Sequence, residues 1–313
     1  MQINIVNLQV LFDYDIIHNH KRGIYMVFSN SDQLKSYLLK YSRSSGMGIQ
    51  NAYNTFFSRR LLEILSKYTF GQIIVKGSFS QFVHLGKLYR PITDIDLTSP
   101  GSLSIANDIL NHSVECENKH SQIHFEFRDK IQASRTGIVQ LSACCNFGSI
   151  RHVIGIDIKC DNVGILETQY KPVRPIFEGD SEFYINTPSY EEHLAEKLCI
   201  IAESNKPDKI NSRLKDFYDI YQLHGGQYDF AKLSIYFKRM LKLRNKVALE
   251  NVSTEYLNLH FIQLHQPQWE ISKRKYEFLD RDVDLNQVVS YSRAVLSEQL
   301  QKARCLSKRE DCY

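Results

Sequence analysis

The chain has 313 residues, 43% hydrophobic and 24% charged, a balance that fits a globular protein with room for two cores and excludes a low-complexity chain. No stretch approaches the roughly 20 apolar residues that a bilayer-spanning helix needs, and a formal net charge of +4 permits a nucleic-acid partner without requiring one. Seven cysteines without a CxxC pair argue against a zinc ribbon and for reduced thiols in the cytoplasm.

Residues 3–12 are apolar, but no basic run precedes them and Asp13 and Asp15 follow, so they do not read as a secretory signal. The run His18-Asn19-His20-Lys21-Arg22-Gly23 reads as a polar linker. Residues 1–25 are therefore expected to be a poorly ordered extension, with a short extra strand as the competing reading. His18 and His20 have the spacing of a metal pair, yet a linker position favours solvated side chains.

Residues 31–68 carry helical spacing, with Leu34, Tyr37 and Leu38 on one face and Leu61, Ile64 and Leu65 on another. Ser31 or Asp32 is expected to cap the first helix, and Gly46 and Gly48 interrupt the pattern. Ile73-Ile74-Val75 then reads as a strand running into the tight turn Lys76-Gly77-Ser78, with a helical turn or two over Phe79 to Leu85. Thr93 to Leu97 alternates polar and apolar like a half-buried strand, and further strands are expected at His124 to Phe127, Gly137 to Ala143 and His152 to Ile158. Cys144 and Cys145 are neighbours on one of these strands, so they face opposite ways and do not share a metal. From Ser189 onward the pattern is helical. Ser189 and Glu192 have capping-box spacing, and Gly225-Gly226 stops a helix.

The chemistry concentrates at Gly77-Ser78 and Asp94-Ile95-Asp96. Residues i and i+2 of a strand share a face, so Asp94 and Asp96 present two carboxylates to one place while Ile95 enters the core. Crowded carboxylates repel unless a cation lies among them, and Mg²⁺ is often held by one or two carboxylates plus phosphate oxygens. A Gly-Ser turn lets backbone N–H groups approach a triphosphate. Asp157, in the apolar strand Ile154-Gly155-Ile156-Asp157-Ile158, is the expected third metal ligand, able to support a second ion that activates an attacking hydroxyl. Arg90, four residues before Asp94, either holds the loop or touches phosphate. Lys238, Arg239, Lys242, Arg244 and Lys246, with Tyr236 and Phe237 interleaved, are either a solvated helix face or a track for an RNA backbone. Trp269 near Lys273, Arg274 and Lys275 is a weaker stretch of the same kind.

These blocks resemble the AbiEii/AbiGii toxin family of nucleotidyltransferases. The likeness rests on Ile74-Val75-Lys76-Gly77-Ser78, Arg90 to Asp96, the helix Tyr190-Glu191-Glu192-His193-Leu194-Ala195-Glu196-Lys197-Leu198, and Arg213-Leu214-Lys215-Asp216-Phe217-Tyr218-Asp219-Ile220. It spans residues 27–290 and weakens after 225. Two positions depart from the family's habit: Gly77-Ser78 stands where Gly-Gly is usual, and Pro91 where Ser or Thr is commoner. The resemblance implies metal binding by Asp94 and Asp96, phosphate contact by Lys197 and an essential acid at Asp216, which either acts as general base or orients Lys197. Lys197 shares a helical face with His193. Its bland reading is a surface lysine paired with a glutamate. Asp219 is expected to be structural, bonding Arg213 or a neighbouring turn.

The expected architecture is α/β plus α. A polymerase-β-like nucleotidyltransferase domain spans 26–165, and a connector and helical domain span 166–313. By the resemblance, the protein is the toxin of a toxin–antitoxin, phage-defence pair. It would use Mg²⁺ or Mn²⁺ to move a nucleoside monophosphate from an NTP to an RNA acceptor such as the tRNA 3′ end, with an antitoxin encoded nearby and no membrane contact. The rival readings are a small-molecule, antibiotic-type nucleotidyltransferase and a nucleotide-binding regulator without turnover. Nucleotide binding is assigned to Gly77, Ser78, Arg90 and Lys197.

Overall fold

Two helices, α1 (Ser31–Ser45) and α2 (Ile49–Tyr68), precede the first strand. A computed structural model describes residues 28–69, 71–99, 101–133, 138–160, 165–204, 213–278 and 280–310. The expected extension at 1–25 and the pair His18 and His20 lie outside the described residues. Asn30, in place of Ser31 or Asp32, caps α1, its side chain accepting from the N–H groups of Asp32 and Gln33. Gly46, at φ 73°, ends the helix in the left-handed region.

The sheet is built from β1 (Ile74–Val75), β2 (Asp94–Ser99), β3 (His124–Ala133), β4 (Ile138–Phe147), β5 (Ile150–Cys160), β6 (Thr168–Val173) and β7 (Phe183–Pro188), in the spatial order β3-β4-β5-β2-β1-β7-β6. β2 runs parallel to β5 and β1 parallel to β7, while the remaining pairs are antiparallel. Along β5 the alternation is regular: His152, Ile154, Ile156 and Ile158 are buried, and Arg151, Val153, Gly155, Asp157 and Lys159 face outward. The buried face packs under α2 and α4 (Leu103–Asn118), where Phe56, Phe57, Leu61 and Leu65 meet Ile95, Leu97 and Ile156.

The α/β unit does not stop at 165. The stretch read as a connector adds β6 and β7 to the same sheet, and Val173, Phe177, Phe183 and Ile185 enter the same core. Arg59 and Arg60 of α2 secure that addition. Both guanidiniums lie 2.8 Å from the Asp180 carboxylate, and Arg59 also lies over the Phe183 ring.

Helices α5 (Tyr190–Glu203), α6 (Leu214–His224), α7 (Phe230–Arg244), α8 (Leu259–Lys275) and α9 (Leu285–Glu310) form a second cluster around Leu194, Leu198, Phe217, Phe237, Trp269 and Leu296. Ser189 caps α5 by accepting from Glu192 N–H. The reciprocal half of the capping box is absent, because the Glu192 carboxylate accepts from the N–H groups of Leu166 and Glu167. Gly225 follows the last residue of α6. Tyr89, in the loop before β2, is buried in the helical cluster, so the approach to Asp94 is anchored in the second unit. Among the described residues no helix is long and apolar enough to cross a membrane.

Candidate active site

The end of β1 is tied directly to the carboxylate strand. Lys76 N–H donates to the Asp96 carbonyl at 2.8 Å, and Gly77 opens helix α3 (Gly77–Leu85) at φ 62°. A Cβ on Gly77 would lie 1.8 Å from Asp96 Oδ2, so a side chain here would occupy the carboxylate's own space. Ser78 is 6% exposed, and its Oγ has no hydrogen-bond partner among the described residues. The α3 N-terminus, the positive end of the helix dipole, therefore opens beside Asp96 and suits an anion.

Asp94 and Asp96 alternate along β2 as the sequence predicts, and Asp96 lies opposite Asp157 in the parallel β2–β5 ladder. All three therefore project from one face. Burial first, then repulsion from Asp94 and Asp157, pushes the Asp96 carboxyl up to about 6 despite the opposing pull of Lys197. Burial also raises Asp157, with a hydrogen bond from Gln140 working against it and Asp94 with it. This is the electrostatic condition a cation relieves. No three His, Cys, Asp or Glu side chains among the described residues stand close enough to enclose a metal ion. Asp157 shares the face of Asp94 and Asp96, directly across the ladder from Asp96. The hard-oxygen pair Asp94 and Asp96, with Gly77 cut back beside it, fits Mg²⁺ or Mn²⁺ in the two-carboxylate manner that relies on phosphate oxygens for the remaining positions.

Lys197 points into a chain of charges. Its Nζ is 2.8 Å from both Asp216 Oδ1 and Asp219 Oδ2, and the residue is 8% exposed. Arg90 donates through Nε and Nη2 to the two oxygens of Asp219, at 2.9 and 3.1 Å. Arg213 Nε lies 2.9 Å from Asp216 Oδ2. Burial would raise Asp219, but Arg90 and Lys197 outweigh it and hold the carboxyl well below the usual range. Burial would lower Lys197, but Asp216 and Asp219 carry it upward.

Four residues singled out in the sequence meet in this arrangement. Arg90 is paired with Asp219 through both carboxylate oxygens, the loop-holding arrangement of its two readings. Lys197 has two carboxylate partners in place of a bare ammonium facing phosphate. Asp216 has both oxygens engaged by cations, the orienting alternative. Asp219, expected to bond Arg213 or a turn, instead joins Lys197 to Arg90.

The basic stretch on α7 divides. Arg239 and Lys242 are exposed, whereas Arg244 is ion-paired to Glu203 through Nε and through Nη2 at 2.8 Å, and Lys246 lies 3.5 Å from the same carboxylate. Tyr236, Phe237 and Trp269 are buried in the helical core, so these rings do not provide a stacking surface. Sequence reasoning missed the pairing of Lys76 with Glu196, 3.2 Å apart, and the position of Lys159 on the carboxylate face, two residues beyond Asp157. The strand period alone could have indicated Lys159.

The profile of the family described as Nucleotidyl transferase AbiEii toxin, Type IV TA system, matches residues 60–295, well over half of the chain. The chain belongs to the AbiEii family. It is a nucleotidyltransferase, and the AbiEii match covers Gly77-Ser78, the Asp94–Asp96 strand, α5 and α6. Similar solved structures include that of JHP933 from Helicobacter pylori, with 11% identity, a TM-score of 0.47, and coverage of 84% of this chain and 97% of that one. A putative nucleotidyltransferase from H. pylori shows 11% identity and a TM-score of 0.47, covering 80% of this chain and 97% of that one. ANT(2")-Ia in complex with adenylyl-2"-tobramycin shows 12% identity and a TM-score of 0.37, covering 62% of this chain and 98% of that one. No curated protein sequence matches the chain.

Proposed function

We propose that this AbiEii-family chain is the toxin of a toxin–antitoxin pair. It transfers a nucleoside monophosphate from an NTP to a hydroxyl of an RNA acceptor, the tRNA 3′ end, and releases pyrophosphate. The observation that carries the reading is the juxtaposition of the Asp94–Asp96 carboxylates with the Gly77–Ser78 turn, where a Cβ would meet Asp96 Oδ2. The α/β unit is of the polymerase-β type. An antitoxin from a neighbouring gene counters the activity, and the setting is the cytoplasm.

Asp94 and Asp96 hold Mg²⁺ or Mn²⁺, which when bound supplies charge neutralisation to the triphosphate and acidifies the attacking hydroxyl. The N–H groups at the start of α3 and the unpartnered Ser78 hydroxyl receive phosphate oxygens. Asp157, half-exposed on the same face, is assigned to take the proton of the acceptor hydroxyl as its oxygen bonds to the α-phosphorus. The bond from that phosphorus to the bridging oxygen breaks, and pyrophosphate leaves with the electron pair. Lys197, Asp216, Asp219 and Arg90 position the strand and α5 around this centre.

Purified protein incubated with each labelled NTP and total RNA tests the reading. Label should enter an RNA of tRNA size with the wild type and not with a folded Asp94→Asn, Asp96→Asn double variant. Equal labelling by the double variant would overturn the site. Label entering only small molecules would favour an antibiotic-type acceptor, and nucleotide binding without any transfer would favour a regulator.

A further inference from the structure

Glu196 and Lys197 are neighbours on α5, yet their side chains enter different surroundings. Lys197 is drawn into the buried carboxylates of α6. Glu196 turns toward the end of β1, where its Oε1 lies 3.2 Å from Lys76 Nζ and 4.0 Å from Arg244 Nη1. Arg244 does not swing freely, because Glu203 holds its Nε and its Nη2, leaving Nη1 aimed at Glu196. Lys159 is within electrostatic reach of Lys76, Glu196 and Arg244 and lies on the same sheet face as Asp157. Cations from β1, β5 and α7 thus converge around one carboxylate, one residue away from the Gly77–Ser78 turn.

The convergence has the form of a polyphosphate site with an anion already in it. The side chains of Lys76, Glu196 and Arg244 are 21%, 24% and 24% exposed, so water and a ligand can reach them. Holding several cations around one carboxylate leaves positive charge over. A triphosphate entering at the α3 N-terminus would bring several negative oxygens to the same cations.

We propose that Glu196 is a built-in competitor for the NTP: its carboxylate occupies the anion position between Lys76 and Arg244 that the β- and γ-phosphates take, and it must turn out to solvent for the nucleotide to seat. The inference rests on the NTP-binding reading above, and it assigns the terminal phosphates to Lys76, Arg244 and Lys159 in preference to the clamped Lys197. The consequence is a site that resists partial ligands. A nucleoside monophosphate does not reach Glu196 and gains nothing from its removal, whereas a polyphosphate displaces it.

The test is equilibrium binding to the full-length chain, with inorganic tripolyphosphate and with a nucleoside monophosphate as the two probes. Glu196→Gln should tighten tripolyphosphate binding about threefold to tenfold, the scale of one competing charge pair, and leave the monophosphate unchanged. Glu196→Asp, whose shorter carboxylate withdraws from Lys76, should lie between, and it serves if the Gln variant does not fold. In a Lys76→Met background, tripolyphosphate should bind more weakly and the gain from Glu196→Gln should shrink or vanish. Unchanged or weaker tripolyphosphate binding by a folded Glu196 variant would overturn the proposal, as would a full gain persisting without Lys76. Because the readout is binding, its failure with labelling intact removes only Glu196 as competitor. Loss of labelling with the binding effects intact removes the transferase reading instead.

Discussion

Gly77 and Asp96 are packed so closely that a methyl group on the first would lie 1.8 Å from the carboxylate oxygen of the second. The glycine is doubly required, since its φ of 62° lies in the left-handed region, which costs a residue with a Cβ about 1–2 kcal/mol. Gly77→Ala should therefore abolish transfer and lower the melting temperature. Gly155, opposite Asp94 in the ladder, makes the control, because a Cβ there meets nothing within 4 Å. Gly155→Ala should melt like the wild type. Comparable melting and activity for Gly77→Ala would show that the turn is not closed against Asp96.

Asp96 should make stability depend on pH in the absence of divalent cations. Its folded value, about 6, lies above the ordinary 3.8. The protonated carboxyl thus favours the fold below 3.8, and that contribution is lost as pH rises through about 6. Asp96→Asn should then be inactive yet more stable than the wild type at pH 7.5 in EDTA, by at most about 3 kcal/mol for a shift of this size. The difference should close below pH 4, and Mn²⁺ should stabilise only the wild type. Parallel melting curves from pH 4 to 8 would contradict this.

Lys197→Met should cost about 3–5 kcal/mol in chemical unfolding, because it strands Asp216 and Asp219 inside the protein with one cation too few. Lys197→Arg should recover little, since a planar fork does not replace an ammonium set between two carboxylates at 2.8 Å. A Met variant with wild-type stability and no transfer would instead make Lys197 a direct phosphate ligand.

Of the basic residues on α7, Arg239 and Lys242 are the pair suited to testing RNA contact, because Arg244 is committed to Glu203. Arg239→Glu with Lys242→Glu should weaken RNA binding, flatten its salt dependence and spare NTP binding. Labelling of tRNA at wild-type efficiency would reduce this part of α7 to a solvated face.

The parts of the site that follow from short-range periodicity were legible in the sequence. Two-residue alternation put Asp94 and Asp96 on one face and Ile95 in the core, and a lone acid in an apolar strand led to Asp157. What was not legible depended on partners far away in the chain. Asp219 lies three residues from Asp216, which fixes a shared helix face but not that Arg90, 129 positions earlier, would claim it. The edge strand Thr168–Val173 alternates weakly and contains Pro172, so its pairing with β7 left little trace in its own composition. The rings of Tyr236 and Phe237 suggested a nucleic-acid surface because a helix face buried by other helices and one open to solvent can share a sequence pattern.

The line Arg90, Asp219, Lys197, Asp216, Arg213 alternates in sign from one member to the next, with only the Arg213 end substantially open to water. Neutralising any inner member leaves an unmatched charge where solvent cannot answer it, whereas exchanging an adjacent acid and base for two apolar groups leaves the tally even. Evolutionary drift at these positions is therefore expected to move in couples. A substitution at Arg90 becomes tolerable in a lineage that has already altered Asp219, so the loop before β2 and helix α6 would inherit their changes together although more than a hundred residues separate them.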